Sequence, residues 1–421
     1  MPSSPVRRAW SQLARRRDRL PPAADRALER LKWSARRPPA GLELAPRVNG
    51  PAPRLLIGPT NFAGQGRAWA RAWGDRGPGT GANWAFSADP KFGYEADYSQ
   101  PISVNAAPRA FQARQFERVV SQFEAVVIES GRPLFGRLFG YSALAEAEAL
   151  AAAGLAVAAL WHGSDIRLPS QHAAAHALSP YALPALRARA AELEATARRH
   201  RRAFGQGRWP QLVSTPDLLD QVAGAAWCPV VVAPEILAAG REARPVLTGG
   251  PPRVVHVPSN PLLKGTELIE APLRRLAEAG RVEYIRAENL PAAEVRRLYA
   301  RADVVVDQFR LGIYGVAAAE ALALGRLVVS DVDQSVRRAV AAGTGLALPI
   351  EQAAAADLEA RLEAIIADPA PFRELAAAGP AFARAVHSGE SSAAALAAAL
   401  GAGQAASAVG EDQAGRKRGA A

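Results

Sequence analysis

The alternation of short apolar runs with amphipathic helical patterns is the feature that most constrains this fold. Apolar runs such as RLLIG at 54–58 and AVVIE at 125–129 are separated by stretches with helical spacing. After a Pro- and Gly-rich stretch at 236–252, the alternation restarts with RVVHV at 253–257. Strands that alternate with helices form parallel sheets built from βαβ units. The sequence therefore predicts two doubly wound α/β domains.

Two such domains place a ligand cleft between the carboxyl ends of their strands. The boundaries follow from the Pro- and Gly-rich stretches and from a small, polar C-terminus. The predicted segments are a basic arm and linker at 1–53, an N-terminal Rossmann-like domain at 54–240, a linker at 241–252, a C-terminal domain at 253–378, a C-terminal helix at 379–401 and a disordered tail at 402–421.

The net charge of +11 is concentrated in the arm. The chain has 421 residues with 51 Lys and Arg against 40 Asp and Glu, and residues 1–54 hold 13 of the basic and four of the acidic ones. Residues 55–400 carry a net charge of only +1. A nucleic-acid-binding protein spreads basic charge over its folded reading surface. The distribution therefore argues against a nucleic-acid partner.

The arm suggests a membrane surface instead. Val6, Trp10 and Leu13 are spaced i, i+4 and i+7 beside several arginines, as in a helix that lies on an anionic leaflet. The alternative is a solvated, disordered basic tail. No apolar run reaches the ~18–20 residues of a membrane span, and no secretory signal is evident. We expect a cytoplasmic protein, with peripheral docking at the inner face of the plasma membrane if the arm binds lipid.

Cysteine and histidine usage argues against a metal site. The single cysteine, Cys228, excludes a disulfide framework and a cysteine-rich zinc site, and its apolar context predicts a buried structural thiol. His172 and His176 have a spacing that could bind a metal. No third ligand stands beside them, so we interpret both as surface residues.

Lys264 is the first candidate for binding chemistry. It lies in PSNPLLKGT, the loop that joins the strand at 253–257 to the next helix. Phosphate groups need positive charge and free N–H donors, and a lysine beside helix N-terminal amides offers both. The alternative is a solvent-facing lysine. The chain has only four lysines, at positions 32, 91, 264 and 417, so its place in this loop favours a diphosphate site.

The second candidate is the Gly-containing loop and helix at 307–325. The sequence DQFRLGIYGVAAAEALALG begins at a strand end and enters a helix. Glycines let backbone amides approach an anion closely. Glu320 stands among Ala and Leu, where a carboxylate is costly unless it finds a partner. A ribose diol would be a suitable partner; the alternative is a carboxylate that reaches solvent.

These residues resemble the donor domain of retaining GT-B glycosyltransferases of family four. That family has Lys-Gly after the first strand of this domain, as in Lys264-Gly265. It also has a Glu, seven residues, Glu pattern followed by Glu-Ala-Leu-Ala-x-Gly and an apolar strand. Residues 320–325 and 327–329 match this ending, and the resemblance covers roughly 54–400.

The resemblance implies a GT-B type α/β fold, with two Rossmann-like domains facing a cleft. The C-terminal domain would bind a nucleotide-diphosphate sugar and the N-terminal domain an acceptor. No cofactor and no metal are implied beyond the sugar nucleotide. Lys264, Gly265, Tyr314 and Gly315 would hold the diphosphate, and Glu320 the ribose. Ser259 and Asn260 belong to the same candidate loop.

The N-terminal domain contributes two further candidates by the same resemblance. Gly64, Gln65 and Gly66 follow the first strand and resemble the loop that meets donor or acceptor; the alternative is a plain tight turn. His162-Gly163-Ser164-Asp165 follows a strand end, where α/β proteins bind ligands, and resembles a His-Gly-x-Asp stretch whose His reaches the reacting sugar. His162 is the predicted catalytic residue, with Asp165 beside it.

The sequence departs from the family pattern at two positions. The first Glu of the pair would fall at 312, where this chain has Gly312, so the donor sugar is unspecified and Asp307 is a candidate substitute carboxylate. The Arg expected five residues before the Lys is Ser259, and Arg310 is a candidate source of the missing charge.

We therefore expect a glycosyltransferase acting on an unknown acceptor, with retention of configuration. A cell-envelope glycan or lipid acceptor would fit a membrane-docked arm. The open alternatives are a sugar-nucleotide epimerase or phosphorylase of similar architecture, and a nucleotide-sugar-binding protein that has lost catalysis.

Overall fold

The chain forms two sheets in which every described strand pair is parallel. A computed structural model of the protein describes residues 17–34, 36–45, 47–87 and 93–401. The strands are β1 Arg54–Gly58, β2 Thr80–Ser87, β3 Tyr98–Pro101, β4 Ala125–Glu129, β5 Ala156–Trp161, β6 Gln211–Val213, β7 Ala226–Trp227, β8 Arg253–His256, β9 Glu283–Arg286, β10 Val304–Val306, β11 Leu327–Ser330 and β12 Glu351–Gln352.

Helices connect the strands and cover both sheets. Several begin at a proline, whose missing N–H and fixed φ suit the first helical position. The α-helices are Pro22–Ser34, Gln65–Arg76, Arg109–Val120, Ala143–Ala152, Pro169–Ala175, Arg187–Phe204, Pro234–Ala239, Pro261–Lys264, Thr266–Glu278, Ala292–Arg301, Val316–Ala323, Gln334–Thr344, Leu358–Ala367 and Ala370–His387, and a last one spans 390–401.

The N-terminal sheet has seven strands in the order β3-β2-β1-β4-β5-β6-β7. The order reverses between β1 and β4, where β1 pairs with β4 on one side and β2 on the other. Strands β4 and β5 are buried along their whole length, as expected for a sheet covered on both faces. The sequence analysis did not identify β2 and β3, because Gly and Asn interrupt the first and the second is a short polar edge strand.

The C-terminal sheet has five strands in the order β12-β11-β10-β8-β9. Its order reverses between β8 and β10, which pair directly. The runs VVV of β10 and LVVS of β11 are fully buried. The predicted fold class, two doubly wound Rossmann-like domains with parallel sheets, is confirmed. This is also the α/β architecture that the resemblance to GT-B enzymes implies.

The segments between and after the domains are packed parts of the molecule. In the predicted linker, Val246 and Leu247 are buried in the core of the C-terminal domain. The helix Ala370–His387 runs past the expected boundary at 378 without interruption. The last helix, 390–401, returns to the N-terminal domain, where Leu396 and Leu400 pack in the same core cluster as Leu55 of β1.

Part of the arm is folded against the N-terminal domain. The helix Pro22–Ser34, which the sequence analysis left inside the basic arm, buries Trp33 beside Tyr141. Arg17 forms ion pairs with Asp25 and Glu29. The predicted membrane helix around Trp10 and the tail at 402–421 lie outside the described residues. Of the helices in the described part of the chain, none is both long and apolar enough to cross a bilayer.

Candidate active site between the two domains

The reversal point of the C-terminal sheet holds Lys264. Strand β8 ends at His256, the chain crosses a short loop, and Lys264 then ends the one-turn helix Pro261–Lys264. Its ammonium forms an ion pair with Asp307, the first residue after the neighbouring strand β10. Ligands of doubly wound sheets bind at this crevice, outside the carboxyl ends of the strands at the reversal point. Lys264 therefore lies where the sequence analysis expected an anion.

Backbone contacts fix the geometry around this ion pair. Phe309 N donates to Lys264 O at 2.9 Å, which joins the two loops. Gly265 has a φ of +75°, and a Cβ there would come within 3.0 Å of Arg310 Cγ. Asn260 caps the turn, because its Oδ1 accepts from Leu263 N at 3.3 Å. Asp307 Oδ2 is buried and has no hydrogen-bond partner among the described residues, so the loop retains an unused acceptor.

The helix Val316–Ala323 begins at the same edge of the sheet. Gly315 is its N-cap residue and no side chain caps the helix, so its first N–H groups remain available to a ligand. Space beside Gly315 is open, since a Cβ would meet no atom within 4 Å. The Tyr314 ring points away into the core, with its hydroxyl 3.4 Å from His387 Nε2. Any contact of Tyr314 with a ligand would thus use its backbone.

Glu320 is buried on this helix and paired. Its Oε1 accepts from Arg296 Nε and Nη2, both at 3.1 Å. Burial raises the pKa of Glu320 although the charge of Arg296 opposes the change. The carboxylate therefore does not simply reach solvent. Its Oε2 makes no hydrogen bond within the described part of the chain, and so is free to accept one from a hydroxyl group.

The carboxylates of Asp307 and Glu320 both lie close to Tyr299. Burial raises the pKa of the Tyr299 phenol, and the nearby charges of Asp307 and Glu320 raise it further. Tyr94 of the N-terminal domain approaches the same place: burial and then the charge of Glu320 raise its pKa. The ring of Tyr94 also lies against Gly64, where a Cβ would come within 2.8 Å of it. The charge of Glu320 therefore acts on a side chain of the N-terminal domain.

His162 lies at the carboxyl edge of the N-terminal sheet, directly after β5. Its Nε2 donates to Oε1 of Glu129, the last residue of β4, at 3.0 Å. Glu129 is fully buried, and its Oε2 accepts from Thr60 N at 3.1 Å. A carboxylate oxygen accepts the hydrogen bond, so in the neutral imidazole this contact assigns the proton to Nε2. Nδ1 is left as an acceptor for a substrate hydroxyl.

The other predicted residues of this domain hold loops in place. Asp165 accepts from the backbone N–H groups of His162 and Gly163 at 2.9–3.1 Å, so it shapes the loop that carries the imidazole. The Gln65 side chain exchanges two hydrogen bonds with the Val231 backbone, at 3.1 and 2.7 Å. A Cβ on Gly66 would come within 2.6 Å of Thr60 O, so only glycine fits there.

The segment after the helix Pro169–Ala175 joins the domains. Arg310 Nη1 donates to Leu178 O at 2.7 Å, while its Nε and Nη2 donate to Glu267. The interpretation of His172 and His176 as surface residues is wrong for His172. This imidazole is buried and lies 3.4 Å from Leu311 O of the other domain. His176 Nε2 lies 3.3 Å from Asp333 Oδ2, also across the domain boundary.

Gly312 has a structural reason to be glycine. Its φ is +66°, and a Cβ would come within 2.3 Å of the Asp333 carboxylate. Asp333 N also donates to Gly312 O at 2.9 Å. The proposed substitute carboxylate, Asp307, is bound to Lys264. Asp333 is thus the acidic group that lies against position 312.

Sequence reasoning missed three residues of this site. Glu129 ends a strand predicted correctly, and its position at a carboxyl edge beside the His162 strand was a usable signal. Arg296 and Tyr94 gave no such sequence signal, because their positions in the site depend on tertiary packing. Within the described residues, no group of three or more His, Cys, Asp and Glu side chains is arranged to hold a metal ion.

Known structures resemble the fold at low sequence identity. HepE of Anabaena, solved with UDP-glucose, is 13% identical with a TM-score of 0.49, and the match covers 83% of this chain and 99% of that one. Sucrose-phosphate synthase of Thermosynechococcus elongatus is 14% identical with a TM-score of 0.46, covering 82% and 97%. A Rickettsia africae glycosyltransferase is 9% identical with a TM-score of 0.47, covering 82% and 97%.

No family model matches the sequence, and no curated protein matches it significantly. At these TM-scores the likeness is one of fold, and the candidate function rests on residues of this chain. Those residues form a two-domain crevice with a lysine, an uncapped helix N-terminus and a carboxylate on one side, and an oriented imidazole on the other.

Proposed function

We propose that this protein is a glycosyltransferase that moves a sugar from a nucleotide-diphosphate sugar to an acceptor hydroxyl. The observation that carries the proposal is the crevice of the C-terminal domain. Lys264, the open N-terminus at Gly315 and the buried Glu320 all lie at the carboxyl edge of one sheet, linked through Asp307 and Tyr299. A cation with free amides suits a diphosphate, and a carboxylate with a free oxygen suits a ribose hydroxyl.

The chemistry follows from where charge develops. As the sugar leaves, the nucleotide diphosphate gains negative charge, and preorganised donors stabilise it without reorganisation. Lys264 and the amides at the start of the helix Val316–Ala323 supply these donors. Asp307 holds the ammonium in place until the diphosphate competes for it. We propose that the transfer retains configuration and needs no metal, with departure and attack on one face of the sugar.

His162 serves the acceptor side in this proposal. With its proton fixed on Nε2 by Glu129, Nδ1 can accept a hydrogen bond from a sugar or acceptor hydroxyl. The Trp69 ring, 5.5 Å away, and the Phe62 ring, 5.2 Å away, restrict the imidazole further. Positioning of this kind supplies a large part of the rate enhancement in group transfer.

A thermal-shift screen of nucleotide sugars tests donor binding. A ligand at 100 times its Kd stabilises the folded state by about 2.7 kcal/mol, so the cognate donor should raise Tm clearly. The shift should be clearly smaller in Glu320→Ala, while Glu374→Ala, on the exposed surface of the helix Ala370–His387, should keep it in full. If no nucleotide sugar raises Tm of the wild-type protein, the proposal fails.

Product analysis separates the alternatives. A transferase releases free nucleoside diphosphate faster when acceptor is present, and an epimerase releases none. A phosphorylase would instead consume inorganic phosphate in the presence of a glycoside and release a sugar 1-phosphate. A binding protein that has lost catalysis would show the Tm shift with no turnover at all.

We also propose that the basic arm docks the enzyme on the cytoplasmic leaflet, where an envelope glycan or lipid acceptor would be available. Basic residues near an anionic surface contribute about 1 kcal/mol each. Since the helix Pro22–Ser34 packs on the domain, the sharper truncation removes residues 1–16 only. Sedimentation with vesicles containing phosphatidylserine should fall in the truncated protein, and unchanged sedimentation would contradict the docking.

A further inference from the structure

Arg132 carries a positive charge that no carboxylate neutralises directly. It lies in the loop after β4 and is exposed. Within the described residues its guanidinium makes no hydrogen bond and no ion pair. It lies instead over the Phe62 ring, with Cζ 5.1 Å from the ring centroid. Phe62 is itself 43% exposed, so an arginine and an aromatic face are presented together.

An unusual turn brings Arg132 to this position. Ser130 and Gly131 both have a φ of +57°, and for serine a left-handed conformation is strained. Ser130 N donates to Leu160 O at 2.8 Å, and Arg132 N donates to Glu129 O at 3.1 Å. The chain therefore turns back at the end of β4, which keeps Arg132 beside the strand that orients His162.

Arg132 lies at a surface that also carries Arg189, and acidic groups are buried beneath it. Glu129 and Asp165 are buried, and both accept hydrogen bonds from the loops around His162. Arg189 is exposed and close enough to Arg132 for the two charges to repel each other, but its Nη1 forms an ion pair with Glu192 Oε2 at 3.3 Å. Arg132 is therefore the guanidinium here without a direct carboxylate partner among the described residues, and an exposed guanidinium of this kind attracts an oxyanion.

We propose that Arg132 and Phe62 form an acceptor subsite that binds a phosphate or carboxylate group attached to an apolar or ring-shaped body. The proposal rests on the function proposed above and names the chemical class of the acceptor. The Phe62 ring is in contact with both Arg132 and His162. The anion is therefore held next to the same ring that contacts the imidazole, beside which the reacting hydroxyl lies.

Calorimetric titration of the full chain with phenyl phosphate and with benzoate tests the subsite. Both probes carry a ring and an oxyanion, and the difference between them separates phosphate from carboxylate preference. Arg132→Gln should lose tenfold or more in affinity for the preferred probe. The matched control is Arg208→Gln: Arg208 also stacks on a ring, 4.9 Å from Trp209, but is within ion-pair distance of Glu148. This variant should bind the probe like the wild type.

Two further variants locate the probe. Lys264→Gln weakens the proposed donor site and should leave the Arg132-dependent affinity intact. Phe62→Ala should weaken phenyl phosphate more than inorganic phosphate, because only the former has a ring to stack. Unchanged affinity in Arg132→Gln, or a loss confined to Lys264→Gln, would overturn the subsite.

The outcome is separable from that of the proposed function. Absence of any Tm shift with nucleotide sugars, together with Arg132-dependent binding of phenyl phosphate, would remove the transferase and keep an anion site. Donor binding without Arg132-dependent probe binding would keep the transferase and remove the acceptor subsite.

Discussion

The two domains place a similar pair of side chains at the same topological position and use it differently. In each sheet a carboxylate ends or directly follows the strand beside the reversal point, and it holds a basic side chain from a neighbouring loop. In the N-terminal domain Glu129 holds His162, and in the C-terminal domain Asp307 holds Lys264. The first pair lies among aromatic rings, whereas the second opens onto glycines and uncapped amides.

This difference suits the two pairs to different functions. A ring held by a buried carboxylate keeps one tautomer and one orientation, which suits recognition of a hydroxyl group. An ammonium paired with a carboxylate can exchange that partner for a more highly charged anion. This suits a diphosphate that binds and then leaves. The same backbone edge thus supports an oriented acceptor group in one domain and a charge-binding group in the other.

Breaking the C-terminal pair should have the largest effect. Lys264→Ala should lower the transfer rate on the order of 10³-fold, because loss of one preorganised donor removes transition-state stabilisation of this size. The measurement is single-turnover transfer with radiolabelled donor. Lys264→Ala combined with Asp307→Asn is the control, since it removes the buried unpaired charge. Near-wild-type rates in the double variant would refute the role of Lys264.

Breaking the N-terminal pair should have a smaller effect of a different kind. Glu129→Gln lets the side-chain amide donate to Nε2, moves the imidazole proton to Nδ1 and should lower kcat on the order of 10²-fold. KM for the donor should remain unchanged, and the pH profile of kcat should shift. His162→Ala should cause a similar loss, and the double variant should be no worse. Additive losses would show that the two residues act separately.

Altering Glu320 sharpens the comparison, because this residue is proposed to bind the donor ribose and not to stabilise the charge that develops on the diphosphate. Glu320→Gln should weaken donor affinity about tenfold, the size of one lost charged hydrogen bond. The Kd for the donor, from calorimetry, is the measurement. Arg296→Gln is the companion variant, since loss of the Arg296 charge should raise the pKa of Glu320 further and weaken affinity to a similar extent. A nucleoside diphosphate that binds both variants like the wild type would place the ribose elsewhere.

Acid should lower the free energy of unfolding of the protein through His387, the last residue of the helix Ala370–His387. This imidazole is buried behind Tyr314 and donates from Nδ1 to Val230 O at 2.8 Å. Burial lowers its pKa from 6.5 to about 4, so the unfolded chain takes up the proton first. Stability from this residue is complete above about pH 6.5 and declines as the pH falls toward 4, by about 2 kcal/mol at pH 5.

Urea unfolding at pH 7 and pH 5 measures this contribution. His387→Asn keeps an N–H donor near the same position without a titrating group, so its stability should fall by about 2 kcal/mol less than that of the wild type between the two pH values. Equal losses in both proteins would assign the acid sensitivity to other groups.

The sequence predicted the architecture because buried parallel strands have a strong local signal. The runs at 125–129 and 156–161 coincide with β4 and β5, whereas the reversal points are known from the strand order in the structure. The sequence also marked Lys264, Glu320 and His162 as candidate site residues, since each lies at a strand end or in a recognisable motif. Pairings such as Glu320 with Arg296, and the burial of His172, depend on contacts between distant segments. The periodicity of the sequence does not predict those contacts.

The return of the last helix to the first domain determines when the protein can finish folding. Helix 390–401 contributes Leu396 and Leu400 to the core that contains Leu55 and Trp69. At a synthesis rate of ~5–20 residues per second, the ribosome needs on the order of ten seconds or more to pass from residue 240 to this helix. During that interval the first domain has an uncovered apolar face. The first domain therefore cannot complete its core until helix 390–401 has been synthesised.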